Sequence, residues 1–286
     1  MEQTPHRYHV HYGPPRGWAR VDLRELWRYR DLVMLFVKRD FTVWYKQTLL
    51  GPAWVLLNPL LSTAMYTVMF GVIADLPTGD VPKPLFYLAG TALWGLFSTS
   101  VTRISTTFTA NNSIVSKVYF PRLSIPVSTM LSSVINFAVQ FLMLFVLVVY
   151  YAWRGMVHPN WALLPLLIPV VLEVGMLGLG CGIIVSSLTT RYRDLAVVVT
   201  VAVQLWMYGT PVVYPLSMID GMNPALRLVL HINPMAAPME TFRVILLGSG
   251  QIDAATWGYS IVLTVLLLLG GLALFGKVEQ TFVDTV

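Results

Sequence analysis

Phe141-Leu142-Met143-Leu144-Phe145-Val146-Leu147 is apolar at every position, and that uniformity decides between the two ways a chain can cross a bilayer. Strands of a membrane barrel alternate lipid-facing and lumen-facing residues in short segments. This run does not alternate, so it reads as helix. It lies inside a longer apolar stretch, 123–151, and five others accompany it, near 49–74, 85–107, 161–188, 195–216 and 257–276. About 20 apolar residues at a 1.5 Å rise cover the hydrocarbon. The sequence therefore predicts an all-α integral membrane protein with six transmembrane helices, the longest two tilted or reaching past the headgroups. Composition agrees, with 56% hydrophobic and only 12% charged residues, where a soluble domain carries about 25% charged. The single cysteine, Cys181, falls inside a span, which excludes an intrachain disulfide and suggests a packing role.

Lysine and arginine set the orientation, because positively charged loops stay in the cytoplasm. Nine basic residues precede the first span; Arg103, Lys117, Arg122, Arg191, Arg193 and Lys277 bring that side to fifteen. The other side holds Lys83, Arg154, Arg227 and Arg243. Both termini are predicted cytoplasmic, and the net charge of +5 reflects topology rather than nucleic-acid binding. Residues 1–21 are polar, lack the apolar core of a signal peptide, and read as a disordered cytoplasmic tail, so the first span itself must direct insertion.

Three segments between the spans carry more pattern than a connector needs. Over residues 22–47, Leu23, Leu26, Trp27, Val33, Val37, Phe41 and Trp44 recur at helical spacing while Arg24, Arg28, Asp31 and Arg39 punctuate the rest. A basic amphipathic helix bearing tryptophan, placed just before a span, reads as lying in the cytoplasmic interface. It serves either as an anchor alone or also as a brace for a partner. Residues 111–122 are polar, then amphipathic, then stopped by Pro121; Ile114, Val115, Val118 and Tyr119 would form one small apolar face, suited to docking, with a plain connector as the alternative. On the outer side, Pro215, Pro224, Pro234 and Pro238 divide a long connection, 217–256, into pieces. Leu226–Ile232 and Met239–Leu247 are apolar enough to dip into the membrane as re-entrant half-helices, where irregular backbone is tolerated only against protein or a watery cavity. Glu240 and Arg243, three apart, are read as a neutralising pair or as an outer-mouth rim that meets cargo.

Enzyme chemistry has little to stand on. Gly271-Leu272-Ala273-Leu274-Phe275-Gly276-Lys277-Val278 nearly spells a phosphate-binding loop, but it lacks the Ser/Thr that holds magnesium and sits in an apolar helix. Leu247-Gly248-Ser249-Gly250-Gln251 echoes part of an ATPase signature with no nucleotide domain around it. No nucleotide, cofactor or metal site is expected in this chain; His6, His9 and His11 read as a solvated tail. Glu173, about twelve residues into the fourth span, lies near mid-membrane and must face the bundle interior. It is read as a structural hydrogen-bonding acid, with a place on the transport path as the alternative. Gly178 and Gly182 have the spacing that lets helices approach closely. Pro52 and Asn58-Pro59 in the first span, and Gly209-Thr210-Pro211 with Pro215 in the fifth, mark these two as kinked and the best candidates to move. Their aromatics Tyr66, Phe70, Trp206, Tyr208 and Tyr214 are candidates to line or gate a channel, against the alternative of an interfacial aromatic belt.

Several of these motifs stand in a familiar order. Arg39-Asp40, Tyr45-Lys46-Gln47-Thr48-Leu49-Leu50-Gly51-Pro52-Ala53-Trp54, Asn58-Pro59, Ser116-Lys117-Val118-Tyr119-Phe120-Pro121-Arg122, Tyr192-Arg193-Asp194, Pro211-Val212-Val213-Tyr214-Pro215 and Asn233-Pro234-Met235 resemble the permease subunits of ABC polysaccharide exporters. That group includes O-antigen (Wzm-like), capsule and teichoic-acid members, and the resemblance covers about residues 20–280. It implies a homodimer around a central channel in the bacterial cytoplasmic (inner) membrane, two separate ATPase subunits that bind ATP and magnesium, and a glycan on a polyprenyl carrier as cargo. Carried over, 22–47 is similar to the interface helix, with Arg24, Trp27, Arg28 and Arg39 on it. Residues 112–121 are similar to the coupling helix gripped by the ATPase, with Ser113, Ile114, Val115, Lys117, Val118 and Tyr119 as its contacts. Spans one and five are similar to the channel-lining pair, and 219–247 to re-entrant helices at the outer mouth. The alternatives are an ABC permease for teichoic acid, a drug or a small lipid, and a membrane glycosyltransferase, which would need membrane-edge acids and histidines that this sequence lacks.

Overall fold

The computed structural model describes residues 23–45, 51–111, 120–189, 192, 194–221, 228 and 230–284. The expected tail and all six expected coupling contacts, Ser113 to Tyr119, lie outside the described residues. Among those described, the one β feature is an isolated bridge between Thr78 and Asp80; the rest is helix and turn.

Two helices at the start, α1 (Leu23–Arg28) and α2 (Arg30–Tyr45), occupy the expected amphipathic stretch. Among the described residues, five helical stretches are long and apolar enough to cross a membrane: Trp54–Ile73, Lys83–Ser105, Ser124–Trp153, Trp161–Thr189 and Ala254–Lys277. The first is α3 (Trp54–Tyr66) continued by a π-helical segment, Thr67–Ile73. Next come α4 (Lys83–Ser105), the single turn α5 (Thr107–Ala110) and α6 (Ser124–Trp153). A 3₁₀ segment, Trp161–Leu166, leads into α7 (Leu167–Thr189). The expected fifth span differs: α8 runs only from Leu195 to Tyr208, 14 residues, or about 21 Å at the helical rise. It stops at Gly209-Thr210-Pro211 because proline cannot donate to the ladder. A 12-residue helix, α9 (Ala236–Leu247), follows, and α10 (Ala254–Asp284) ends the chain.

The least apolar of the five long helices, α4, is the most enclosed, with 72% of its central residues buried against 17% for the first. Lipid selects for apolar side chains, whereas a helix surrounded by protein can carry small and polar ones. Accordingly α4 contacts α3, α6, α7, α8 and α9, and its Leu85, Tyr87, Leu88, Leu93 and Phe97 anchor the main core. The predicted glycine seam lets α7 lie between two neighbours: a Cβ on Gly178 would stand 2.8 Å from Ser100 Cβ and one on Gly182 2.7 Å from Ile104 Cβ, both on α4. Gly180, on another face, meets the Leu268 backbone of α10. In α6 the buried hydroxyls of Ser128, Thr129, Ser132 and Ser133 donate to carbonyls three or four residues back, so this polar stretch needs no water.

Two turns between long helices are fixed by carboxylates. Lys83 Nζ donates to the Gly71 carbonyl at 2.5 Å and to Asp75 Oδ1 at 2.8 Å, stapling the π segment to the start of α4. That hydrogen bond holds the Asp75 carboxyl below its ordinary range. Asp253 caps α10, accepting from the Ala255 and Thr256 amides and the Thr256 hydroxyl, chiefly the last of which lowers its pKa.

Candidate functional site

Three of the five channel candidates pack on the main core where α3 and α8 lie against α4. Tyr66 and Phe70 face each other with ring centroids 5.7 Å apart, and the Tyr66 hydroxyl reaches Met207 Sδ at 3.7 Å. Trp206 packs edge-on against Phe97 of α4 at 5.1 Å. All three are half-buried against the main core. Tyr208 is exposed, and Tyr214, half-buried, donates its hydroxyl to the Tyr208 carbonyl at 3.1 Å.

Beyond α8 the backbone of Gly209 to Tyr214 is irregular and largely buried, so its carbonyls need donors from elsewhere. Two side chains supply them. Asn233 Nδ2 donates to the Gly209 carbonyl at 2.7 Å and lies 2.8 Å from Thr210 Oγ1, while its Oδ1 accepts from the Met235 amide. Arg243 Nη2 donates to the Val212 carbonyl at 2.6 Å and Nη1 to the Tyr214 carbonyl at 3.3 Å. The Arg243 guanidinium also stacks 3.8 Å from the Phe86 ring centroid, and Gly90 leaves room for it, since a Cβ there would collide with the Val212 carbonyl. Glu240 Oε2 stands 4.0 Å from Arg243 Nη1, an ion pair without a direct hydrogen bond. Glu240 and Arg243 are both buried, Arg243 to 1% exposure; in one chain Arg243 organises the irregular segment after α8 from within.

Glu173 has a full set of structural partners. Trp257 Nε1–H donates to Oε2 at 2.7 Å, and Ser260 Oγ lies 2.6 Å from Oε1. Ser260 Oγ is also 2.5 Å from the Pro234 carbonyl. The acid thus ties α7 to α10 and to the turn that holds Asn233.

At the opposite end, α2 turns Val33, Phe36 and Val37 inward against α6, while Arg24, Trp27 and Arg28 are exposed. Arg30 places its guanidinium 5.7 Å from the Trp27 ring centroid. Arg39 links α2 to the segment after α5. Its Nε and Nη2 reach Asp40 Oδ1 at 3.1 and 2.9 Å, and its Nη1 donates to Asn111 Oδ1 at 3.2 Å. Asp40 Oδ2 in turn accepts from Arg103 Nη2 at 3.1 Å.

Sequence reasoning missed Asp40, Arg103, Asn111, Asn233, Trp257 and Ser260 as site residues. Asp40 and Asn233 stood inside quoted motifs and Asn111 opened the 111–122 stretch, a usable signal; Arg103, Trp257 and Ser260 sit in otherwise ordinary helix positions, and only the fold brings them to their partners.

The chain is similar over nearly its whole length to characterised proteins. It is 29% identical over 267 residues to the O-antigen export system permease protein RfbA of Myxococcus xanthus, covering 92% of this chain and 98% of that one. It is 26% identical over 257 residues to the protein of the same name from Klebsiella pneumoniae, covering 89% and 94%. Residues 31–247, from α2 to the end of α9, match the family described as ABC-2 type transporter. The resemblance carried by the ordered motifs is borne out, and the chain belongs to the ABC-2 type transporter family of membrane permeases.

Proposed function

We propose that this chain is the membrane-spanning subunit of an exporter that moves an O-antigen-like glycan, carried on a polyprenyl lipid, across the cytoplasmic membrane. The observation that carries this reading is the end-to-end similarity to two O-antigen export permeases, which leaves no large segment of either relative unmatched. Two copies form the channel, and two copies of a separate ATPase subunit bind ATP and magnesium and dock on residues 112–121. Helix α8 together with 209–216 makes the fifth of six crossings, residues 219–247 form the re-entrant outer mouth, and both termini are cytoplasmic. Tyr66, Phe70, Trp206, Tyr208 and Tyr214 line or gate the path. Two features support the channel: only 17% of the residues in the apolar stretch of the first span are buried by its own chain, leaving a face for a second copy, and α8 ends short in backbone held by side chains rather than by helix.

Deleting the gene tests this directly. Surface glycan should disappear while lipid-linked glycan accumulates inside the cell, and the purified chain should hydrolyse ATP only with its partner present. Unchanged surface glycan with a rise in drug sensitivity would move the reading to a drug or small-lipid permease.

A further inference from the structure

One turn of α2 grips both ends of the connection assigned above to the ATPase. At its start, Arg39 Nη1 donates to Asn111 Oδ1 at 3.2 Å, and Asn111 is itself fixed by Nδ2 donating to the Thr107 carbonyl at 2.9 Å. At its end, Phe120 packs edge-on against Phe36, ring centroids 5.7 Å apart, in a small cluster with Ile125 at the start of α6. The two grips are one assembly, because the Arg39 guanidinium lies 5.0 Å from the Phe36 ring centroid. Asp40 adds a third contact by joining Arg39 to Arg103, two residues before the end of α4.

A helix that only rests in the interface needs an apolar face and a charged one. It has no need of a carboxylate with 11% exposed side chain between two guanidinium groups. Planar guanidinium contacts fix direction as well as distance, so this cluster holds α2, the end of α4, the start of α6 and the flanking residues Asn111 and Phe120 in one geometry.

We propose that Arg39, Asp40, Arg103 and Asn111 are positioning residues for transport: they make these elements move as one body, so that a push on residues 112–119 reaches α2 and the second and third spans together. The proposal rests on the reading of that connection as the ATPase-coupling segment.

The test uses the complete complex, permease with its ATPase partner, in proteoliposomes loaded with cargo. Asp40→Asn should co-purify with the ATPase and keep its ATP turnover, while glycan exported per ATP falls about tenfold, the scale of a typical coupling free energy. Reversing the pair, D40R with R103D, should recover most of the loss. An unchanged export-to-ATP ratio, or an equal fall in both with assembly intact, overturns the proposal. If Asp40→Asn fails to assemble, Arg103→Lys, which keeps the charge and loses the fork, takes its place. A double-mutant cycle of Asp40 and Arg103 on thermal unfolding of the detergent-purified chain is independent of cargo and ATPase. Coupled losses support the clamp and additive losses overturn it. A wild-type complex that recruits no ATPase defeats the reading of residues 112–119 instead, and the cycle then decides the clamp alone.

Discussion

A methyl group at position 180 would meet the Leu268 backbone of α10 at 2.9 Å, while Gly258 and Gly270 on that same helix have nothing within 4 Å of an added Cβ. Backbone cannot swing aside as a side chain can, so Gly180→Ala is expected to lower stability by about 1–3 kcal/mol. Gly258→Ala should be neutral or stabilising by up to about 1 kcal/mol, from helix propensity. Thermal unfolding of the two variants in detergent compares them. Arg243→Met would leave the Val212 and Tyr214 carbonyls without their donor and Glu240 buried beside no cation, a loss of about 3–5 kcal/mol. Arg243→Lys should recover little, since one ammonium cannot reach both carbonyls while stacking on Phe86. Size-exclusion profiles of tagged variants report the yield of folded protein. Asp75 offers a pH-dependent test at an exposed site. Its native carboxyl ionises at lower pH than the unfolded one because Lys83 donates to it. The pair therefore contributes fully above the unfolded value, near about pH 4, and loses its contribution as pH falls through the native value. Asp75→Asn tolerates the same left-handed backbone (φ 45°) and should melt below wild type at neutral pH, with the gap closing in acid.

The long helices were legible as elements because lipid demands uninterrupted apolar runs: the stretch read as 123–151 is Ser124–Trp153, and 161–188 is the helical stretch Trp161–Thr189. Hydropathy overran at the fifth, since Val212 and Val213 are as apolar as a helix would want, and the backbone there is decided by Pro211 and by donors on Asn233 and Arg243. Those donors stand 24 and 31 residues from the carbonyls they serve, a distance no local pattern encodes. The Glu173 partners, 84 and 87 residues away, and Arg103, 63 residues from Asp40, escaped for the same reason. Enclosure was likewise hidden, because α4 and α6 both read simply as spans. It has a measurable consequence. Leu93→Ala in α4, at 0% exposure, should cost about 2–5 kcal/mol through an unfilled cavity. Leu142→Ala in α6, 64% exposed, should cost less than about 1 kcal/mol; unfolding midpoints of the pair separate the two environments.

At the scale of the whole molecule, the half that holds Asn233 and Arg243 is tied together by buried polar side chains and the opposite half by the Arg39, Asp40 and Arg103 cluster, with the α4 and α7 seam between them. The first span, packed on α4 along one side, leaves Leu61, Met65, Val68, Val72 and Ile73 exposed on its other side. If two copies meet along it, Met65→Cys in a Cys181→Ser background should yield linked dimers with a short thiol cross-linker, and Leu142→Cys should not. Denaturing gels of cross-linked membranes give the answer.

The π-helical stretch Thr67–Ile73 also has a bearing on how the gene can change. Each turn of such a ladder, bonded five residues back instead of four, holds one residue more than an α turn. Deleting a single codon within it lets the ladder rewind as α-helix and leaves the flanking positions close to their original register. The same deletion in α4 would rotate every later side chain of that helix by about 100° and scramble the core. Length can therefore be edited in the first span at the wide turn, and nowhere inside the helix it packs against.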